Sequence, residues 1–408
     1  MDRILATHTG SLIRPDDLLA FLAARARGDE IDQEAYAQCL QRAVRDVVAE
    51  QVRVGIDIVD DGEMGKASWI TYLYERVSGL TPRPVTLAGA SMLPPSRDRQ
   101  QFPGAYAALD ALDEAATRNS NVAPDGGETE QEAEHDQVIE WVCTGPITYD
   151  PAALQRDIAN FKAVLADHPG TQAFMPVVAP ASAYWLTNEH YASDDEFVFA
   201  LADALHEEYR TIVESGLVLQ VDDAVLVHEA DTMMSRGHSF EDYRRWAQLR
   251  IDALNHALRG LPEESVRYHV CWGSWHGPHA FDPPLADVID LVLQVNAGFY
   301  AIEQANARHE HEWRVWEDVA LPDGRKLIPG VVTHHTNVVE HPELVAQRLT
   351  RLAGVVGREN VLAGTDCGFA QGAMIRRVHP EIQWAKLAAL AEGARIASRE
   401  LWGAKAAV

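Results

Sequence analysis

Four side chains that bind soft metal ions occur in order along the second half of the chain. His269 and Cys271 are separated by one residue, so on a β-strand both side chains point to the same side. Glu303 and Cys367 each stand at the end of a later predicted strand. Two thiolates, one imidazole and one carboxylate suit tetrahedral Zn²⁺ better than Mg²⁺ or Ca²⁺. The four residues together predict a zinc site, whereas the pair alone also fits a buried cysteine beside a hydrogen-bonded histidine.

Zinc held by four protein ligands is usually structural, because no coordination position is left for a substrate. Such a site becomes catalytic if an incoming thiol displaces a ligand or expands the coordination shell. Zinc then lowers the pKa of the thiol and keeps a nucleophilic thiolate at neutral pH. The predicted chemistry is therefore alkylation of a thiol, and the alternative is a zinc-binding barrel without catalytic activity.

The elements that must bring these residues together alternate along the chain. Short β-rich runs are separated by longer segments with apolar residues at helical spacing, which predicts repeated βα units. Nine strands are predicted: Ile4–Thr9, Ile56–Asp60, Val138–Cys143, Ala173–Val178, Val218–Val221, Arg267–Trp272, Phe299–Glu303, Leu327–Val332 and Asn360–Gly364. We expect an α/β fold, a single TIM-type (β/α)₈ barrel spanning residues 1–408, with an open parallel sheet as the alternative. In a barrel all strands end at one face, so the four candidate ligands can meet there.

The predicted outer helices have clear ends in two places, at Gly55 and at Gly216, where glycine tolerates a left-handed backbone. The expected helices are Ala35–Val54, Asp195–Ser215, Phe240–Leu258, Pro284–Ala297, Pro342–Val356 and Ile382–Leu401.

One segment, residues 94–137, interrupts this alternation. It contains a helical piece at Ala105–Ala116 followed by an acidic, glycine-containing stretch. It is too polar to join a core, so we interpret it as an insertion that serves as a lid, as a subunit contact, or as a solvated loop without function.

Composition excludes several classes of protein. Of 408 residues 47% are hydrophobic and 24% are charged, as in globular domains. With 35 Lys and Arg against 61 Asp and Glu, the net charge of -26 argues against nucleic acid as a partner. No signal peptide or membrane span is predicted, and four widely spaced cysteines do not form a disulfide framework, so a cytoplasmic protein is expected.

An ordered set of short motifs resembles the catalytic barrel of cobalamin-independent methionine synthases in its short core form, with epoxyalkane:coenzyme M transferase as a relative. The motifs span most of the chain: HTGSLIRP from His8, DIVDDGE from Asp57, TGPIT from Thr144, LQVDDA from Leu219, HVCWG from His269, AIE from Ala301, PGVVTHHTN from Pro329 and GTDCGF from Gly364.

This resemblance implies roles for further residues. It implies Zn²⁺ held by the same four side chains predicted above. Ser11, Glu63 and Asp222 match residues that hold the thiol substrate, and Asp222 is also expected to take part in catalysis. His335 matches a histidine that protonates the leaving group, with His334 beside it.

The implied reaction transfers a methyl or other alkyl group onto a zinc-activated thiol. The expected partners are a small-molecule thiol acceptor and an alkyl donor, and a methylated folate is a candidate donor. A second copy of the chain, in a homo-oligomer, is a further candidate partner. The alternative is an epoxide:thiol transferase or carbon–sulfur lyase of the coenzyme M type. The chain departs from the synthase pattern at Asp223, where the family has Glu, and at Thr333, where it has Asp.

Overall fold

The computed structural model describes residues 2–86, 95–120, 137–373 and 375–403. Seven parallel strands form one curled sheet, in which each strand pairs with the next. In chain order these strands are β1 (Ile58–Val59), β4 (Gln172–Val178), β6 (Val218–Asp223), β7 (Val266–Val270), β8 (Phe299–Ile302), β9 (Lys326–Val332) and β10 (Gly364–Thr365).

The eighth position of the barrel is filled by the segment at residues 4–9. Ala6 forms a parallel bridge with Ala363, beside β10, and its carbonyl accepts hydrogen bonds from Asp57 and Ile58, at β1. These contacts close the sheet into a ring, so the predicted TIM-type barrel is confirmed. The segment pairs at one bridge only and is not a full strand.

One of the nine predicted strands, Val138–Cys143, lies outside the barrel. It forms β3 (Gln137–Cys143), the middle strand of a small sheet with the antiparallel β2 (Leu80–Thr86) and the parallel β5 (Leu186–Asn188). The two outer strands of this sheet were not predicted. The barrel therefore holds eight of the nine predicted strands, the number that a (β/α)₈ barrel requires.

Twelve α-helices occur among the described residues, most of them packed on the outside of the ring. They are α1 (Asp16–Arg27), α2 (Gln33–Val54), α3 (Arg97–Gln101), α4 (Pro103–Ser120), α5 (Ala152–Leu165), α6 (Asp194–Glu214), α7 (Ala224–Ser235), α8 (Phe240–Ala257), α9 (Leu285–Val292), α10 (Val315–Asp318), α11 (Pro342–Val356) and α12 (Pro380–Trp402). None of them is both long and apolar enough to span a membrane.

One predicted helix is too long. The expected Pro284–Ala297 helix ends at Val292, because the amides of Gln294 and Val295 donate to carbonyls three residues back and no longer four. The Tyr300 hydroxyl donates to the Val295 carbonyl at 2.9 Å, and the Asn296 amide donates to the Asn255 side chain at 2.9 Å.

The interior of the ring changes from apolar to polar along the strands. A small cluster that includes Phe174 and Ile328 fills one end of the ring. Arg267 lies above it, 3.8 Å from the Phe174 ring centroid, and donates to Thr7. Inward-facing polar residues follow at the C-terminal ends of the strands, which is where catalytic groups collect in this architecture.

Candidate metal and thiol site

The site begins with a histidine and a carboxylate on neighbouring strands. Asp222 on β6 lies opposite His269 on β7 in the sheet register, and both side chains point into the barrel. His269 Nδ1 lies 3.0 Å from Asp222 Oδ1, and Gln220 donates to the same oxygen at 2.9 Å. The bond fixes the orientation of the imidazole and leaves Nε2 for another partner.

Two thiols lie beside this imidazole. One donor atom from each of His269, Cys271 and Cys367 lies within 4.8 Å of the other two, and all three residues are buried. Donor atoms on a tetrahedral zinc ion stand about 3.3–3.8 Å apart, so small movements would bring these three into coordination. A hydrogen bond from Cys271, together with nearby His269, lowers the pKa of the Cys367 thiol to about 7, whereas the pKa of Cys271 is raised.

Glu303, at the end of β8, faces the two thiols but lies outside the group of three. Asn306 donates to its Oε2 at 3.0 Å. Asp366 holds the loop after Glu303 in place, because its Oδ1 accepts from the amides of Gln304 and Ala305 at 2.9 and 2.8 Å. Burial, followed by the charges of Asp366 and Cys367, raises the pKa of Glu303 well above its usual value.

These side chains fit a soft divalent metal ion. His269 Nε2 and Glu303 Oε1 are buried and have no hydrogen-bond partner in the described part of the chain. Buried polar atoms without partners are costly, and here two of them belong to candidate ligands near a pair of thiols. The donor set of nitrogen, sulfur and carboxylate oxygen is that of zinc sites.

The residues matched to thiol binding lie around this group. Ser11 is buried against Gly368, where a Cβ atom would come within 2.1 Å of the Ser11 Oγ. Glu63 is buried with a left-handed backbone at φ 56°, and its charge interacts with that of Asp222. Its Oε2 lies 3.6 Å from Lys66 Nζ. The structure thus gathers Ser11, Glu63 and Asp222 around the candidate metal ligands.

The two histidines after β9 differ in exposure. His334 is buried, whereas His335 is half-buried, and their ring centroids lie 4.7 Å apart. Burial and the charges of His276, His279 and Arg377 lower the pKa of His335 to about 4. His335 is therefore neutral at pH 7 in this structure, and the predicted general acid would need a further group to charge it.

The described part of the insertion, α3 and α4, packs against the loop that follows Cys271. Asp98 accepts hydrogen bonds from the amides of His279 and Ala280 at 3.0 and 2.9 Å, and from the Tyr106 hydroxyl at 2.7 Å. The Trp275 indole donates to the same hydroxyl. The helical piece expected at residues 105–116 belongs to α4, whereas most of the acidic stretch, residues 121–136, lies outside the described residues. The role of the insertion stays a prediction.

A buried ion cluster lies beside this loop. His309 contacts Glu312 at 2.7 Å and Asp282 at 3.1 Å, and its ring stacks on Trp272. Burial alone would lower the pKa of His309, but the two carboxylates raise it to about 9. The ion pair lies inside the protein, since His309 and Glu312 are both buried.

Sequence reasoning assigned no role to three residues that shape the site. Asp366 could have been found from its place directly before Cys367. Lys66 follows Glu63 by three residues in the same turn, which was a usable signal for an ion pair. Asp98 had no sequence signal, because its partners are backbone amides 181 and 182 residues away.

The fold and the site define a (β/α)₈ barrel with a candidate metal site at the C-terminal ends of its strands. The family model described as "Cobalamin-independent synthase, Catalytic domain" matches residues 178–389, slightly more than half of the chain. The chain therefore belongs to the cobalamin-independent methionine synthase family. The matched range contains the four candidate ligands together with Asp222 and His335.

Relatives of similar length carry two different names. Methionine synthase of Thermococcus kodakarensis is 23% identical over 96% of this chain and 93% of its own length. The 2-hydroxypropyl-CoM lyase of Xanthobacter autotrophicus is 25% identical over 92% of this chain and 91% of its own. Among solved structures, a B12-independent methionine synthase from Shewanella sp. W3-18-1 in complex with selenomethionine superposes with a TM-score of 0.70 at 19% identity, covering 98% of this chain and 99% of that one. The last likeness supports the fold.

Proposed function

We propose that this enzyme transfers a methyl or other alkyl group onto a thiol substrate, with Zn²⁺ as its cofactor. The observation that carries the proposal is the group of two thiols and an imidazole within 4.8 Å, with Glu303 facing the thiols. His269, Cys271 and Cys367 would hold the ion, and Glu303 would supply the fourth ligand. When bound, zinc lowers the pKa of a coordinated thiol and so supplies a nucleophilic thiolate at neutral pH.

The residues around the metal then have separate tasks. Asp222 keeps His269 in the tautomer that carries its proton on Nδ1, so that the unprotonated Nε2 faces the thiols. Asp366 holds the loop that carries Glu303 through two backbone amides. Ser11 and Glu63 would position the thiol substrate. Because both side chains are buried, they need little reorganisation when substrate binds.

In the reaction, the thiol loses its proton, its sulfur attacks the alkyl carbon, and the bond from that carbon to the leaving atom breaks. The product is a thioether, and the leaving atom takes up a proton. We assign that proton transfer to His335, which must first be charged, since its pKa in this structure is about 4.

A second candidate reaction is addition of a thiol to an epoxide, or its reverse. It is favoured by the contact between Lys66 and Glu63, because Glu63 already has an ammonium partner in the chain. Because Lys66 already pairs with the Glu63 carboxylate, a thiol substrate would not need an amino group to pair with Glu63. The relative named 2-hydroxypropyl-CoM lyase supports the same reading.

Product analysis tests the proposal. Zinc-loaded protein is incubated with a thiol and either methyltetrahydrofolate or an epoxide, and thioethers are identified by mass spectrometry. We expect a thioether with one donor and none with the Cys271→Ala variant. The Cys143→Ala variant is the matched control, because this cysteine lies in the small side sheet. No thioether from any combination, with zinc bound, would contradict the proposal.

A further inference from the structure

The 275–280 loop, which follows β7, lies at the mouth of the barrel beside the candidate metal site. The chain enters it through Trp272, whose backbone amide interacts with the Glu303 carboxylate. Within the loop, the ring of His276 lies 5.6 Å from that of His335, to which we assign the proton transfer. The position of this loop therefore sets part of the space in which a donor would meet the thiol.

The loop has an uncommon backbone conformation. His279 has a φ of 55°, in the left-handed region that residues with a side chain seldom adopt. The Trp275 indole folds back over two glycines, where a Cβ atom would come within 1.7 Å of it at Gly273 and within 2.2 Å at Gly277. A left-handed residue of this kind persists only where the surrounding structure holds it, and such residues cluster at functional sites.

The contacts that hold this turn come from the insertion. Asp98 on α3 is buried, and its two carboxylate oxygens accept from the amides of His279 and Ala280 at 3.0 and 2.9 Å. Tyr106 on α4 donates to Asp98 at 2.7 Å and accepts from the Trp275 indole at 3.2 Å. One carboxylate thus fixes the left-handed residue and the residue after it.

The helix that carries Asp98 is attached to the barrel on two sides. Arg97, the preceding residue, pairs with Asp231 on α7 at 2.6 Å. Arg97 also donates to the Phe281 carbonyl at 3.2 Å, directly after the 275–280 loop. Because α3 is joined both to α7 and to the end of the loop, it can hold the loop against the barrel.

We propose that Asp98 is a positioning residue for the transfer reaction, which holds the 275–280 loop where His276 faces His335 at the mouth of the metal site. The described part of the insertion, α3 and α4, then acts as a clamp on this loop. Asp98 itself need not touch substrate, because both of its carboxylate oxygens are bonded to the chain. The inference rests on the proposed function insofar as the reaction held in position is alkyl transfer to a thiol.

Steady-state kinetics of the zinc-loaded protein test the consequence for the reaction. A misplacement of about 1 Å costs on the order of 100-fold in rate, so we expect Asp98→Ala to lower kcat about 10- to 100-fold. Zinc content and the KM for the thiol should change little. Asp98→Asn keeps one acceptor oxygen and should have an intermediate kcat. The matched control is Asp110→Asn, since Asp110 lies on α4 and pairs with Arg99 at 2.7 Å. A merely structural role of Asp98 would reduce the yield of folded protein and leave kcat per zinc-loaded molecule unchanged.

Hydrogen exchange read by mass spectrometry reports on the loop without turnover. We expect the amides of His279 and Ala280 to be protected in the wild type and to exchange faster in Asp98→Ala. Unchanged protection in Asp98→Ala, or a wild-type kcat in a variant whose loop has lost protection, would overturn the proposal. If Asp98→Ala does not fold, Asp98→Asn and Arg97→Gln decide by the same two measurements.

The two measurements also separate this inference from the proposed function. A wild type that forms no thioether would contradict the proposed function, and the exchange rates would still show whether Asp98 holds the loop.

Discussion

Replacement of Asp222 tests whether the barrel prepares His269 for a metal ion. The Oδ1 atom of Asp222 lies 3.0 Å from His269 Nδ1, and both side chains are largely buried. Loss of a carboxylate behind a metal-binding histidine reduces metal affinity about 10- to 100-fold. Asp222→Ala removes both the charge and the acceptor, so we expect a loss of about 1.4–2.7 kcal/mol in zinc binding. Asp222→Asn keeps an oxygen acceptor, so its loss of zinc-binding free energy should lie near the lower end of this range.

Competition with a chromophoric chelator measures the zinc dissociation constant, without substrate, so that any role of Asp222 in thiol binding does not contribute. The matched control is Asp223→Asn. Asp223 is the next residue on the same strand, but its carboxylate points the other way and accepts from the Tyr268 hydroxyl at 2.9 Å. We expect this variant to keep the wild-type zinc affinity. If Asp222→Ala binds zinc as tightly as the control, the proposed orientation of His269 is refuted.

Three further predictions follow from buried groups. Cys367→Ala should lose zinc and thioether formation together while Cys39→Ala keeps both, as read by metal analysis and product assay; a zinc-free, fully active Cys367→Ala would contradict the assignment. Because the pKa of His309 rises from 6.5 to about 9 on folding, its contribution to stability, about 3 kcal/mol, is complete below pH 6.5 and is lost as the pH rises through 9. Denaturant unfolding should show this loss, and His309→Gln should remove it. Glu340→Gln leaves the fully buried Lys386 without its carboxylate and should lower the free energy of unfolding by about 3–5 kcal/mol, as measured by thermal unfolding. Most of this loss should be recovered when Lys386→Met is added. Equal melting temperatures of Glu340→Gln and wild type would refute this.

Sequence patterns predicted the barrel because strand runs and helical spacing report directly on parallel βα units. The uncertain part was which runs belong to the ring. Val138–Cys143 has the same β-rich composition as the barrel strands, yet it pairs with Leu80–Thr86 in a separate sheet. Local composition does not show which sheet a strand joins, since that depends on partner strands more than 40 residues away in the chain.

The candidate ligands were predictable because three of them lie in or directly after barrel strands. His269 and Cys271 share a side by strand alternation, and Glu303 follows the next strand. The neutral state of His335 was not predictable, because it results from cations that other loops bring beside it. The same holds for Asp98, whose contacts with the 275–280 loop depend on how the insertion packs.

Zinc content combined with X-ray absorption at the zinc edge tests the central claim most directly. We predict one zinc ion per chain with two sulfur ligands, and a third sulfur when the accepted thiol is added, with homocysteine and 2-mercaptoethanesulfonate as the first candidates. A four-ligand shell that no thiol changes would indicate a structural zinc site and contradict the proposed thiol activation. Protein that binds no zinc would contradict the metal assignment itself.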